Sequence, residues 1–259
     1  PERSIILVIL LSLYWLVSPI LWILLPVFAF FSPKIRHHWL NQKSTWTLAG
    51  ERRKETGEGK EVVLFHAASI GEFEQLKPIL KKVNRSRYFI LLTFFSPTVF
   101  TIEKDTTLAD AVCYHPLDFP WSAKMFFRKF DIQHYIITRN DIWPIHLFIA
   151  QKLGINTVLI NANLYRKQQF NSWFMGLFLK QVFGQFNLIL TGSERLKNNL
   201  LNFVPSEKIQ VTGDSRLDRV LELKSENNSP LLPECFASSH TLILGSIIPS
   251  DFPVIFDGF

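Results

Sequence analysis

The sequence predicts an α/β fold, a doubly wound parallel sheet standing behind an N-terminal membrane anchor. Three observations lead there. Short β-rich apolar runs alternate with helical patterns from residue 62 to residue 223, the pattern of a sheet built from strand–helix–strand units. Those runs are near-continuous rather than alternating, as strands covered on both faces require. Ahead of them, from Ser4 to Pro33, there is no charged residue, and about 20 apolar residues suffice to cross a bilayer.

The anchor, residues 1–33, is too long for the core of a signal peptide, about 7–15 residues. Tyr14, Trp15 and Trp22 suit a membrane interface. Pro19 and Pro26 are expected to kink or break a helix, so a clean span and a re-entrant or monotopic anchor both remain open. Lys34, Arg36, Lys43, Arg52, Arg53 and Lys54 follow, with His37 and His38 between. The positive-inside rule puts this collar, and the soluble domain behind it, on the cytoplasmic face of the cell inner membrane. A basic collar also favours anionic lipid substrates. The rest of the segment 34–61, from Ala49 to Glu61, is polar and Gly-containing, and predicts a linker or surface loop.

Strands are expected at Val62–His66, Tyr88–Thr93, Ala111–His115, His134–Thr138, Thr157–Ile160, Leu188–Thr191 and Ile209–Thr212. Helices are expected at Phe73–Val83, Pro97–Lys104, Pro120–Phe130, Pro144–Leu153, Phe170–Phe183, Glu194–Asn202 and Leu217–Leu223. After the domain at 62–223 comes a Ser-, Asn- and Pro-rich connection, 224–240. Thr241 then opens a fresh strand and turn, and the chain stops at Phe259, whereas a domain needs at least about 50 residues.

Composition narrows the function. With 47% hydrophobic and 19% charged residues the chain is not disordered. A net charge of +6 suits anionic partners, but no zinc-ligand spacing, basic-region helix or RNA-binding signature is present, so nucleic acid is not expected. No His, Cys, Asp and Glu cluster has metal-ligand spacing. The only cysteines, Cys113 and Cys235, read as reduced thiols of a cytosolic compartment.

Chemistry concentrates at strand ends, where open α/β sheets bind ligands. "HAASIGE" (His66–Glu72) ends the first soluble strand. Ser69 and Glu72, three apart before a helical pattern, form a capping-box signature. The same placement presents an ionised carboxylate, suited to the dipole and able to act as a general base; cap and base are both open. "LLTFFSPT" (Leu91–Thr98), "HPLDFPWS" (His115–Ser122), "TRNDIWP" (Thr138–Pro144), "INANLYRK" (Ile160–Lys167) and "VTGDSRLD" (Val211–Asp218) follow at later strand ends. Asp141 is a helix cap or a site residue, Trp143–Pro144 starts a helix, and Asp118 suits a turn. His66 and His115 are expected to be packed or capped. Arg166 and Lys167 are phosphate ligands or a solvated loop.

This series, in this order and behind a hydrophobic segment, resembles the 3-deoxy-D-manno-octulosonic acid (Kdo) transferases of lipopolysaccharide assembly. The resemblance covers the chain from the anchor to about Asp251. It implies a monotopic membrane glycosyltransferase of the GT-B class, with two Rossmann-like domains. The amino-terminal one would hold a lipid A precursor, the carboxyl-terminal one the donor CMP-Kdo, with inversion at the anomeric centre and no cofactor or metal in the chemistry. Glu72 matches the family's general base. Ser69, Gly71, Ser96, Thr98, Asp141, Asn161 and Asn163 would face the acceptor, and Arg216, Gly245 and Ser246 the donor.

Departures stand beside the matches. The family's Glu-x-Glu before Trp-Pro is Arg139, Asn140, Asp141 here, and its Asn-Ala-Arg is Asn161, Ala162, Asn163. Its Gly-Ser-Thr-His-Pro turn reads Gly245, Ser246, Ile247, Ile248, Pro249. The glycine-rich and Asn-Pro-x-Glu motifs of the donor half are not among the 259 residues. Residues 241–259 are therefore expected to be the start of a truncated donor-binding domain, and the 259 residues alone to transfer no sugar. Besides a transferase, a non-catalytic module binding a lipid A precursor, or one subunit of a split enzyme with a separate donor-binding chain, stays in play.

Overall fold

The computed structural model describes residues 2–139, 141–164, 173–226, 236, 240, 242–256 and 258. Asn140, Arg166, Lys167, Cys235 and most of the connection at 224–240 lie outside the described residues. The chain forms two compact units, Pro1–Arg219 and Val220–Phe259.

The first unit opens with α1 (Glu2–Phe31) and α2 (Pro33–Thr56), then alternates β1 (Glu61–Ala67), α3 (Ile70–Leu80), β2 (Tyr88–Phe94), α4 (Pro97–Glu103), β3 (Ala111–Tyr114), α5 (Pro120–Phe130), β4 (Ile132–Thr138), α6 (Pro144–Lys152), β5 (Asn156–Ala162), α7 (Trp173–Gly184), β6 (Leu188–Thr191), α8 (Glu194–Leu200) and β7 (Ile209–Val211). A ninth helix, α9 (Ser215–Glu226), runs on from it. The strands make one seven-stranded sheet in the order β3-β2-β1-β4-β5-β6-β7, and every pair is parallel. The predicted doubly wound parallel α/β sheet is the fold observed. Strand order reverses between β1 and β4, which makes the carboxyl ends of those two strands the switch point where such sheets open a crevice.

The sheet is buried on both faces, and the period of two along β1 shows why the apolar runs are unbroken. Val62 and Leu64 join one core with Trp46, Phe126, Phe130 and Leu147. Val63, Phe65 and Ala67 join the other with Phe73, Leu76 and Val99.

Three expectations are corrected. Pro19 and Pro26 neither break nor end α1, which is continuous through both. Pro19 has no N–H for the carbonyl four residues back, and the Ser18 hydroxyl donates to that Trp15 carbonyl instead, at 3.2 Å, the substitution that lets helices carry proline. Among the described residues, Leu13–Phe31 of this helix is the stretch long and apolar enough to cross a membrane, with a mean hydropathy of 2.0.

Second, the polar stretch from Ala49 to Glu61 is not a loop throughout: α2 continues to Thr56 and stops at Gly57. The helix persists because its buried face packs on the sheet edge. Trp46 Nε1 donates to the Tyr114 carbonyl at 2.8 Å, and Thr45 Oγ1 accepts from the Tyr114 N–H at 3.2 Å. Third, the strand predicted from Thr241 is not formed at described residues 242–245. Leu242, Ile243 and Leu244 are exposed, and a lone extended run has no ladder to complete its hydrogen bonds. Among its described residues the second unit also holds α9 from Val220 onward and α10 (Phe252–Phe256), the latter preceded by a turn in which Asp251 accepts from the Ile248 N–H at 3.0 Å.

Candidate active site

The loop from β1 into α3 sits at the switch point. Ser69 is the N-cap of α3 and Glu72 its third helical residue, and the full capping box forms. Ser69 Oγ accepts from the Glu72 N–H at 3.4 Å. Glu72 Oε2 accepts from the N–H groups of Ala68 and Ser69 at 2.8 and 3.1 Å. One carboxylate oxygen is thus held by two backbone donors, while Oε1 has no hydrogen bond among the described residues. Ser69 and Gly71 are exposed, and a Cβ built on Gly71 meets nothing within 4 Å. The protein therefore does not need glycine there for its own packing, and the space over the first turn of α3 stays open beside the free oxygen.

The second carboxylate of the switch point, Asp141, follows β4 and is held inward. His66 Nε2, at the end of β1, lies 2.6 Å from Asp141 Oδ2, and Trp143 Nε1 donates to the same oxygen at 2.9 Å. Burial opposes ionisation of Asp141, but the His66 hydrogen bond and charge, with the Trp143 indole, keep its pKa below the ordinary aspartate value. His66 is fully buried and Asp141 is about a quarter exposed.

From His66 a buried hydrogen-bonded series continues under the switch point. His66 Nδ1 lies 3.1 Å from both the carbonyl and the hydroxyl oxygen of Thr93. Thr93 Oγ1 is 3.0 Å from His115 Nδ1, and His115 Nε2 is 2.9 Å from His146 Nδ1 and 3.0 Å from the Tyr135 hydroxyl. His146 Nε2 reaches the Leu117 carbonyl at 3.3 Å, and the His146 N–H donates to Asp118 Oδ1 at 3.2 Å. Since a carbonyl only accepts, the Thr93 carbonyl fixes a proton on His66 Nδ1. Burial is the main cause that lowers the pKa of His115 and takes that of His146 down to about 3, and burial likewise pushes the Asp118 carboxyl up to about 7.

Other residues singled out in the sequence divide between structure and surface. Ser96 is the N-cap position of α4, without a side-chain cap bond, and Thr98 is exposed. Asn161 has a left-handed backbone, φ 52°, which asparagine tolerates better than most residues. Its Nδ2 donates to Ser215 Oγ at 2.7 Å and its Oδ1 accepts from the Ser215 N–H at 3.2 Å, while Ser215 Oγ donates to the Gln75 carbonyl at 2.7 Å. The amide is committed to joining β5, α9 and α3. Asn163 is buried. Arg139 also has a positive φ, 63°, and its N–H donates to the Ile160 carbonyl at 2.9 Å, so the loops after β4 and β5, which carry the two altered motifs, are neighbours. Arg216 Nε donates to Asp214 Oδ2 at 2.9 Å. Asp214 sits below its usual pKa: burial works against it and is outweighed by the Arg216 side chain and backbone, with the charge of Arg139 adding to them. Gly245 and Ser246 belong to the second unit, where both are exposed.

The sequence marks His66 and His115 as packed or capped and His38 only as part of the basic collar, and it singles out none of His146, Thr93 and Tyr135. His38 Nδ1 and Nε2 stand 2.9 and 2.8 Å from the carbonyls of Phe95 and His115, tying α2 to two strand-end loops. A usable signal existed: His66 and His115 both stand at carboxyl ends of strands, and His146 comes two residues after the proline that opens α6.

Comparison with known proteins identifies the lineage. The family model described as 3-Deoxy-D-manno-octulosonic-acid transferase (kdotransferase) matches residues 41–219. The 3-deoxy-D-manno-octulosonic acid transferase of Chlamydia muridarum is 27% identical over 213 residues, covering 79% of this chain and 49% of the relative. That of Aquifex aeolicus is 40% identical over 100 residues, 38% of this chain and 27% of the relative. The chain thus spans about half the length of the curated relatives it matches, 49% and 47% for the first two. Among solved structures, a UDP-N-acetylglucosamine 2-epimerase from Rickettsia bellii aligns with a TM-score of 0.49 at 10% identity, over 64% of this chain and 48% of that one. With the matched family model running from α2 through the whole parallel sheet into α9, the chain belongs to the 3-deoxy-D-manno-octulosonic-acid transferase family.

Proposed function

We propose that this chain is the acceptor-binding part of a glycosyltransferase that moves Kdo from CMP-Kdo to a lipid A precursor in lipopolysaccharide biosynthesis. In this reading α1 seats the protein in the inner membrane and the sheet stands on its cytoplasmic face. The observation that carries it is the placement of Glu72: at the carboxyl end of β1, beside the switch point, with Oε2 fixed by two backbone N–H groups and Oε1 uncommitted among the described residues. A sugar hydroxyl is a poor nucleophile. As its oxygen bonds to the anomeric carbon, its proton passes to Glu72, and CMP departs with the electron pair of the broken bond. Holding both substrates in attack geometry supplies most of the rate, so the donor must be gripped by a second domain, supplied in the same polypeptide or by a separate one.

A second reading, a binding module without chemistry, draws on Arg139, a cation at the position where the motif that this chain resembles has a glutamate. One experiment addresses both. The protein, in detergent and joined by a donor-binding domain of the family, is given CMP-Kdo and a lipid A precursor. Transfer that is lost in Glu72→Gln supports the enzyme. Salt-sensitive binding of the precursor without transfer supports the module, since a basic surface loses affinity for anions as ionic strength rises.

A further inference from the structure

One face of α1 is not spent on simple packing. Leu13, Tyr14 and Val17 form one wall of a cavity of about 460 Å³, and Ile145 and Phe148 of α6 with Val182 of α7 form the facing wall. The volume lies within the range of about 300–1,000 Å³ usual for small-molecule pockets, and the lining is almost wholly hydrocarbon. The Tyr14 hydroxyl donates to the Asp118 backbone carbonyl, which clasps α1 over the opening. Asp118, Gln181 and Gln185 are the other polar residues of the lining. Burial pushes the pKa of Asp118 up to about 7, well above the usual aspartate value, so the site disfavours the charged form.

The same helix also carries apolar side chains that look outward. Leu16, Ile20 and Ile23 are 73%, 57% and 73% exposed. Their spacing, four and then three residues apart, makes one continuous stripe that runs beside Leu13, seven residues before Ile20 and itself 56% exposed. The outward apolar stripe therefore runs on into the cavity wall at Leu13 and Val17. One turn beyond Phe148, Lys152 Nζ stands over its ring, 4.4 Å from the centre, which puts an ammonium group next to a cavity-lining side chain.

We propose that this cavity takes one acyl chain of a bilayer phospholipid, which enters beside α1 and leaves its phosphate near Lys152; the proposal depends on α1 being seated in the membrane. A hydrocarbon chain drawn from the surrounding bilayer would make dispersion contacts along this lining.

The test uses the full chain in phosphatidylglycerol–phosphatidylcholine vesicles doped with a phospholipid that carries a diazirine midway along one acyl chain. After irradiation, labelled peptides are mapped by mass spectrometry. Label is expected on α6 and α7 as well as on the outward stripe of Leu16, Ile20 and Ile23. Val17→Trp should remove the α6 and α7 label and leave the stripe labelled. Ile145→Phe fills the cavity from the opposite wall and should do the same, so the result does not hang on how one variant folds. Label confined to the outward stripe, or label on α6 and α7 that survives both fillings, overturns the acyl-chain site while leaving membrane seating intact. Label on neither face overturns both.

Discussion

The two carboxylates at the switch point, Glu72 after β1 and Asp141 after β4, are held in opposite ways. Glu72 is gripped by backbone alone, through one oxygen, on the first turn of a helix. Asp141 is gripped by side chains, a buried histidine and an indole, both on the same oxygen. Backbone donors orient a carboxylate without offering it a proton to exchange; a histidine partner does offer one. The difference leaves Glu72 with an oxygen uncommitted among the described residues, as the proposed base requires, and ties Asp141 into the buried hydrogen-bonded series.

The largest effect should come from breaking the first of these. Glu72→Gln keeps an oxygen for the Ala68 and Ser69 N–H groups but removes the proton acceptor. Transfer in the donor-complemented protein is expected to fall about 10²–10⁴-fold, with unchanged circular dichroism and precursor binding. Near-normal turnover would reduce Glu72 to a cap. Next comes the other member of the comparison. Asp141→Ala strands His66, and breaking a buried pair costs about 3–5 kcal/mol. Part of that is recovered because Asp141 is about a quarter exposed, so urea unfolding should shift by the lower end of the range.

A third test sharpens the contrast through pH. His38, His115 and His146 have lowered pKa values in the fold. Their contribution to stability is complete above the unfolded histidine value of about 6.5 and is lost as pH falls below it. Asp118, raised to about 7, acts the other way: its contribution is complete below the unfolded aspartate value of about 3.9 and is lost as pH rises toward 7. Asp118→Asn keeps an oxygen for the His146 N–H and removes the opposing slope. Its stability should fall more steeply than wild type between about pH 6.5 and pH 4, read from melts across that range; parallel curves would remove Asp118 from the titrating series. The smallest effect belongs to the cap itself. Ser69→Ala should cost about 1 kcal/mol of stability, and it tests whether capping and catalysis at Glu72 are separable: a parallel collapse of transfer would mean that the cap aims the base.

The sheet was legible in the sequence because burial on both faces writes unbroken apolar runs, and Pro97, Pro120 and Pro144 mark the starts of α4, α5 and α6 openly. Glu72 was legible because a capping box is local: Ser69 and Glu72 are three residues apart. The histidine series was not, because Asp141, His66, Thr93, His115 and His146 come from separate segments that only the parallel register aligns. The far end of α2 was misread through Gly50 and the charged run after it, although Glu51, Arg52, Arg53 and Lys54 are all good helix formers. What settles that helix is tertiary: Trp46 and Ala49 are buried against the sheet.

The hydrogen bonds from α2 to Tyr114 carry a practical consequence. β3 is an outer strand of the sheet, and an uncovered outer strand offers free backbone groups to any neighbouring chain, the usual seed of self-association. Thr45 and Trp46 occupy those groups on Tyr114. Trimming the protein to begin at Ser32 would discard the greasy α1 and leave this cover in place, whereas starting beyond Thr56 would strip it away and yield a sheet that recruits copies of itself into aggregates. Solubility here follows from which backbone groups stay occupied as much as from how much grease is cut off.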